Sequence, residues 1–198
     1  AALAAVGFFD KMLLDSHYQN NSRLSGHVSS KKVPGVELST GSLGMGLGVS
    51  AGIAYSKKLD GRDESIFCIL SDGECDEGST WEAAMFAGHQ KLSHLTIIID
   101  YNKLQSIKTT TETLNLEPFR EKWESFGWDT IQIDGHCHDS LYSSLRKVNS
   151  KSNKPRCIIA NTVKGKGVSF MENNVLWHYR SPQNEEYEAA MRELLKKP

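Results

Sequence analysis

The 198-residue sequence lacks the features that mark several large classes of protein. It has only four cysteines, and none of their spacings is typical of a zinc site. No apolar run approaches the roughly 20 residues of a membrane-spanning helix, and no signal peptide is recognisable. A net charge of −1 gives no electrostatic argument for nucleic acid or an anionic membrane as a partner. We therefore expect one globular protein of the cytoplasm.

What is present is a pattern of short apolar runs. The runs at 66–70 and 95–99 are rich in β-branched residues and lack polar alternation, which is typical of parallel strands buried on both faces. Helix formers fill the segment from Ser79 to Lys91 between them, so the unit is strand, helix, strand. Another apolar run occupies 156–161, and the more alternating run at 129–134 is expected nearer a sheet edge. The pattern predicts an α/β fold.

A polar residue follows each of the first two predicted strands. Asp72 comes just after the first strand and Asn102 just after the second. Because the carboxyl ends of parallel strands meet at one edge of a sheet, we expect these two side chains to lie close together. Carboxylate and amide oxygens suit Mg²⁺, which completes its octahedron with waters and phosphate oxygens. The sequence therefore predicts a Mg²⁺ site at this edge.

The same residues lie in motifs that resemble the transketolase family. Ser71-Asp72-Gly73, followed by Asp100-Tyr101-Asn102, resembles the thiamine diphosphate motif, an Asp-Gly pair with Asn about thirty residues later. The resemblance covers nearly the whole chain and is greatest to the short N-terminal subunit of transketolases encoded as two chains. The other matching stretches are Pro34–Glu37, Thr40–Gly46, Trp81–Ala84, Lys164–Gly167 and Trp177-His178.

This resemblance implies a fold, an activity and partners. The fold would be a three-layer α/β thiamine diphosphate-binding fold with a mainly parallel central sheet flanked by helices. Residues 1–198 would form a single such domain that lacks an N-terminal segment carrying two Gly-His motifs. The activity would be two-carbon ketol transfer between sugar phosphates, with thiamine diphosphate and Mg²⁺ as cofactors. The partner would be a C-terminal, pyrimidine-binding subunit, and two copies of each chain would form a heterotetramer.

The resemblance also implies roles for individual residues. His27 would face the substrate, and His178 the diphosphate and the acceptor. Backbone groups of Gly41 and Leu43 would touch the cofactor rings. Glu77 would join a carboxylate network at a subunit interface. The implied set is His27 and His178 as catalytic residues, Gly41, Leu43, Asp72, Gly73, Glu77, Asn102 and His178 as cofactor-binding residues, and Asp72, Asn102 and the Leu104 carbonyl as metal ligands.

Several of these residues have simpler explanations. Ser79 and Glu82 have the spacing of a capping box, which competes with an interface role for Glu82; Glu77 has no such local explanation. By itself His27 is typical of a solvated loop histidine. Residues 136–138, His-Cys-His, suggest zinc but lack a partner pair. We assign no role to the two lysines of 164–167, because loop lysines are usually solvated.

Packing predictions accompany this site. Gly48 and Gly52 share one helix face, where another element would pack closely. Gly73 would let its backbone approach a phosphate, with its amide as a donor. The expected core includes Cys68, Ala83, Ala84, Phe86, Ala87, Leu92 and Cys157.

Other functions remain open. One is 1-deoxyxylulose-5-phosphate synthase or another thiamine enzyme with this domain. A second is a non-catalytic scaffold, and a third is a domain that binds another phosphorylated ligand through Mg²⁺. Ser71 and Met45 depart from the family pattern, as does the stretch 106–108. The upstream histidines of the family pattern are also absent from this sequence.

Overall fold

The computed structural model describes residues 1–31, 33–146 and 152–196. Its contacts divide the chain into two compact units, Ala1–Met45 and Gly46–Pro198, each considered by itself. That 1–198 form a single domain stays a prediction. The helices are α1 Ala2–Ala5, α2 Gly46–Leu59, α3 Gly78–His89, α4 Thr110–Thr113, α5 Phe119–Ser125, α6 His138–Arg146 and α7 Glu185–Leu195, and the strands are β1 Ile66–Ser71, β2 Leu95–Tyr101, β3 Asp129–Asp134 and β4 Arg156–Asn161.

The first unit has little regular structure. Besides α1 it contains a 3₁₀ helix, Lys11–Ser16, whose first turn is capped by the Asp10 carboxylate. Most of the remainder, up to Met45, is loop. This loop contains the predicted site residues His27, Gly41 and Leu43.

The second unit is built on a four-stranded parallel sheet of order β1-β2-β4-β3. The two central strands are the most buried, since five of the six β4 residues are buried. Continuous β-branched sequence explains this burial, because both faces of a central strand pack against other elements. The α/β prediction is confirmed, and residues 129–134 form an edge strand as expected. Among the described helices, none is long and apolar enough to cross a bilayer.

The chain path determines which helices share a face of the sheet. The connections from β1 to β2 and from β2 to β3 run in one direction across the sheet, whereas β3 to β4 runs back. With right-handed crossovers, α3 and α5 lie on one face and α6 on the other. The main core lies on the α3 and α5 face, where Trp123 and Trp128 are buried against the strands. The Trp128 indole also donates to the Ala84 carbonyl at 2.9 Å.

Two packing predictions are wrong. Phe67 and Ile69 of β1 are 50% and 76% exposed, so this strand is not buried on both faces. The reason is its position at the sheet edge, with one apolar face open in the described part of the chain. Phe86 is 40% exposed and packs edge-on against Tyr55 on the surface. The remaining predicted core residues are buried or partly buried.

The predicted capping box at Ser79 and Glu82 is also wrong. Helix α3 begins two residues earlier than that box requires, with Glu77 rather than Ser79 as its N-cap residue and no side-chain cap hydrogen bond. A capping box forms instead at α4, between Thr109 and Glu112.

The face of α2 that carries Gly48 and Gly52 is open. A Cβ atom added at either glycine would meet nothing within 4 Å. The element predicted to pack there is therefore not among the described residues.

Candidate functional site

The carboxylate of Asp72 joins the ends of the first two strands. This residue follows β1 directly and is 1% exposed. Its Oδ1 accepts a hydrogen bond from the Gly73 amide at 2.7 Å, and its Oδ2 accepts one from the Lys103 amide at 2.6 Å. Because Lys103 follows Asn102, the two predicted metal ligands are brought together, as expected from the parallel sheet.

The loop after β2 is held in a tight turn. The Asn102 Oδ1 accepts from the Leu104 amide at 2.9 Å, an Asx turn, while Lys103 adopts a left-handed conformation with φ of +65°. Leu104 forms an antiparallel bridge with Thr109. In the described part of the chain, no backbone amide donates to the Leu104 carbonyl. That oxygen thus remains available to a ligand, as the prediction for Leu104 requires.

Burial has the largest effect on the pKa of the Asp72 carboxylate. It raises the pKa of Asp72 to about 6, while hydrogen bonds from the amides of Lys103 and Gly73 act in the opposite direction. The charge of Asp100 raises the pKa of Asp72 further, and that of Lys164 lowers it. A cation beside the carboxylate would favour its ionised form.

The donor set fits Mg²⁺. The Asp72 and Asn102 side chains and the Leu104 carbonyl supply hard oxygens, and each side-chain oxygen with a hydrogen bond keeps a further lone pair. No cluster of three or more His, Cys, Asp or Glu suited to a metal occurs among the described residues. A metal here would therefore complete its shell with waters and ligand oxygens.

The loop after β4 brings Lys164 to the site, although the sequence alone predicted no role for this lysine. The charge of Lys164 lowers the pKa of Asp72, and it also lowers that of His178, for which burial is the larger cause. The predicted catalytic histidine and the predicted metal ligand therefore both lie within the field of Lys164. The sequence feature that could have identified Lys164 is its position in a doubly basic, glycine-rich loop at the end of a strand.

His136, considered for zinc, positions that loop instead. Its Nε2 accepts a hydrogen bond from the Val163 amide at 2.8 Å. This contact fixes the start of the loop after β4. It also uses the ring nitrogen that a metal would need.

Asp76 and Gln105 form a wall beside Gly73 that sequence reasoning missed. The Gln105 Nε2 donates to the Asp76 Oδ2 at 2.6 Å, and the Asp76 Oδ1 is buried without a hydrogen-bond partner among the described residues. A Cβ atom at Gly73 would lie 3.3 Å from the Gln105 Cγ. The Gly73 amide donates to Asp72 in this structure. Its role toward a phosphate stays a prediction.

Glu77 is exposed and stands at the N-terminus of α3. A carboxylate at this end of a helix interacts favourably with the helix dipole. This interaction is a local contribution of Glu77, although its side chain makes no cap hydrogen bond. Its role in a carboxylate network stays a prediction.

Two predicted site residues of the first unit lie in contact. A Cβ atom added at Gly41 would be 2.8 Å from the Cδ2 of the His27 ring, so a larger residue at position 41 would displace this ring. Leu43 is 52% exposed. The following Gly44 has a φ of +78°, which favours glycine.

Comparison with known proteins identifies the family. Residues 3–196 match the family model described as transketolase, thiamine diphosphate binding domain. The chain belongs to the transketolase family. The transketolases are transferases, and the chain carries the thiamine diphosphate-binding domain of this family, as the motifs predicted.

Curated relatives and solved structures agree with this membership. A 6-deoxy-6-sulfo-D-fructose transketolase subunit of Clostridium sp. (strain MSTE9) is 41% identical over 99% of this chain and 71% of the relative. An apulose-4-phosphate transketolase subunit of Phocaeicola vulgatus is 41% identical over 97% of this chain and 68% of the relative. The crystal structure of transketolase from Campylobacter jejuni matches with a TM-score of 0.77 and 30% identity, over 83% of this chain. The chain spans 27% of that solved transketolase chain.

Proposed function

We propose that this chain is the cofactor-anchoring subunit of a two-chain, cytoplasmic transketolase. It holds thiamine diphosphate and Mg²⁺ for the transfer of a two-carbon ketol unit between sugar phosphates. Catalysis requires a second, pyrimidine-binding chain, and two copies of each form the enzyme. The relatives named as subunits support the two-chain arrangement.

One observation carries this proposal. The hydrogen bond of 2.6 Å from the Lys103 amide to the Asp72 carboxylate fixes the ends of β1 and β2 to each other. It places the Asp72 carboxylate beside the turn that contains Asn102 and the Leu104 carbonyl. Such an oxygen-rich edge suits a divalent cation bound against a diphosphate.

Each residue of the site has a task in this proposal. Asp72, Asn102 and the Leu104 carbonyl hold the metal, and Lys164 adds positive charge facing the diphosphate. The bound cofactor supplies the nucleophilic carbon that takes up the ketol unit. Burial and the charge of Lys164 lower the pKa of His178, which favours the neutral imidazole that can accept a proton from a substrate hydroxyl. His27, held against Gly41, faces the substrate.

Calorimetry with thiamine diphosphate and Mg²⁺ tests the anchoring role. It is run on the chain alone and on its mixture with the pyrimidine-binding subunit. Asn102→Ala should weaken cofactor binding by about tenfold or more, since it removes a metal ligand. Asn115→Ala is the matched control, because the Asn115 Oδ1 likewise accepts from the amide two residues later, that of Glu117 at 3.0 Å.

Equal affinities for wild type and Asn102→Ala would refute the metal site. A complex that forms with the partner but never binds cofactor would identify the chain as a scaffold. The activity is tested separately with sugar-phosphate donors and with pyruvate. Decarboxylation of pyruvate would favour the synthase over the transketolase.

A further inference from the structure

A cleft opens at the end of the sheet opposite to Asp72 and Asn102. It has a volume of about 320 Å³ and lies within the second unit. His94 immediately precedes β2, so the cleft is at the amino-terminal ends of the strands, far along the sheet from the candidate cofactor site. Its lining residues are Ala54, Lys58, Lys91, Leu92, Ser93, His94 and Asn153.

The lining combines cations with an apolar floor. The Lys58 ammonium donates to the Gln90 carbonyl at 2.6 Å, which holds the side chain in place and leaves two of its three hydrogens for a ligand. Leu92 is 1% exposed and Ala54 2%, so they form a rigid base. Asp63 is the acidic neighbour, with its Oδ1 3.7 Å from the His94 Nε2 and its side chain 95% exposed.

Lys91 has an unusual backbone conformation. Its φ is +50°, in the left-handed region that side-chain-bearing residues rarely adopt. The amide of Leu92 donates to the Ala87 carbonyl at 3.1 Å, and that of Lys91 donates to Gly88 at 3.0 Å. This is a Schellman motif, in which glycine usually occupies the left-handed position. Lysine thus occupies, beside the cleft, a backbone position that glycine would adopt with less strain.

We propose that this cleft binds the phosphate group of a small phosphorylated molecule. Lys58 and Lys91 supply charged donors, and Ser93 and Asn153 supply neutral ones. The apolar floor of Ala54 and Leu92 contacts the carbon part of the ligand. The site is separate from the candidate cofactor site and does not rest on the proposed function.

Amide NMR titration of the chain tests this proposal, with inorganic phosphate and with glycerol 3-phosphate as probes. Saturable shifts are expected at Ser93 and His94. Lys91→Gly removes the cation but suits the left-handed backbone, so it should weaken binding by about fivefold without lowering the Tm. Asp63→Asn should tighten binding, because it removes the opposing charge.

Matched variants separate this site from other anion sites. Lys57→Gln is the control, since Lys57 pairs with Glu64 at 3.1 Å and does not line the cleft. Asn102→Ala should leave phosphate affinity at the cleft unchanged. Unchanged affinity in Lys91→Gly, or shifts confined to the loops after β1 and β4, would overturn the proposal. Tighter binding of glycerol 3-phosphate than of inorganic phosphate supports a phosphorylated molecule, and equal or weaker binding refutes it.

Discussion

At the scale of single residues, the contact between Gly41 and His27 can be tested with one substitution. A Cβ atom at position 41 would lie 2.8 Å from the His27 ring, closer than carbon atoms approach without displacement. Gly41→Ala should therefore move the imidazole, which NMR of the histidine ring signals detects. If His27 faces the substrate, the KM for the substrate should also rise.

Gly48→Ala is the control for that substitution. The added Cβ meets nothing within 4 Å, and the position is inside α2. Alanine should therefore raise the free energy of unfolding by about 0.5–1 kcal/mol and leave the His27 signals unchanged. Unchanged His27 signals in Gly41→Ala as well would contradict the contact.

The hydrogen bond between Tyr101 and Glu117 predicts a pH dependence of stability. The Tyr101 hydroxyl donates to the Glu117 carboxylate and, together with the Phe119 amide at 2.8 Å, lowers the pKa of Glu117 below 4.5. A carboxyl whose pKa is lowered by folding stabilises the protein above its unfolded pKa. That stabilisation disappears as the pH falls through the lower folded value.

Tyr101→Phe should therefore lower the free energy of unfolding at pH 7 by about 1 kcal/mol, a small value because Glu117 is exposed to solvent. Denaturant unfolding between pH 7 and pH 3 measures the difference, which should shrink below pH 4.5. Tyr142→Phe is the control, since Tyr142 is 62% exposed and its hydroxyl accepts from Arg146. A difference from wild type that is the same at all pH values would exclude this origin.

At the scale of elements, α3 approaches the turn before β3 so closely that one position requires glycine. A Cβ atom at Gly88 would lie 1.8 Å from the backbone carbonyl oxygen of Phe126. In the same region, the Trp128 indole donates to the Ala84 carbonyl of α3 at 2.9 Å. The packing of the α3 layer thus depends on the absence of a side chain.

Gly88→Ala should destabilise the protein by about 3 kcal/mol, because backbone must move to relieve the overlap. Thermal or denaturant unfolding measures the loss. Gly78→Ala, in the first turn of the same helix, meets nothing within 4 Å and should stay within about 0.5 kcal/mol of wild type. Equal stabilities for the two variants would refute the close packing.

At this scale the sequence predicted the strands well and the helix boundaries less well. Continuous β-branched runs identified β2 and β4, because a central strand must be apolar on both faces. The same pattern in β1 did not reveal that Phe67 and Ile69 face outward, since composition does not say which strand lies at an edge. Ser79 was misplaced as a cap because the helix start depends on the turn after Asp72.

At the scale of the whole molecule, the open face of α2 predicts assembly. Ile53 is 48% exposed beside Gly48 and Gly52, and an added Cβ at either glycine meets nothing within 4 Å. If a partner chain packs there, Ile53→Glu should abolish the complex, because it would bury an unpaired charge. Native mass spectrometry of the mixture with the pyrimidine-binding subunit measures this. The control Tyr142→Glu, on an exposed position of α6, should still assemble, and survival of the complex in Ile53→Glu would exclude α2 from the interface.

The motifs predicted the family and the placement of Asp72 and Asn102 at one edge, since parallel strands end together. They did not predict Lys164, Asp76, Gln105 or His136, whose partners are distant in sequence. Their positions follow from the loop geometry after β1, β2 and β4.

The hydrogen bond from Lys103 to Asp72 has one more consequence. Its donor is a backbone N–H on a solvent-facing loop, yet its acceptor is a buried carboxylate. Deuterium uptake at this single amide therefore reports whether the two strand tips are still joined, without any ligand being added. Slow exchange of the Lys103 amide would show that the two strand ends are joined, and it can be measured in every variant described above.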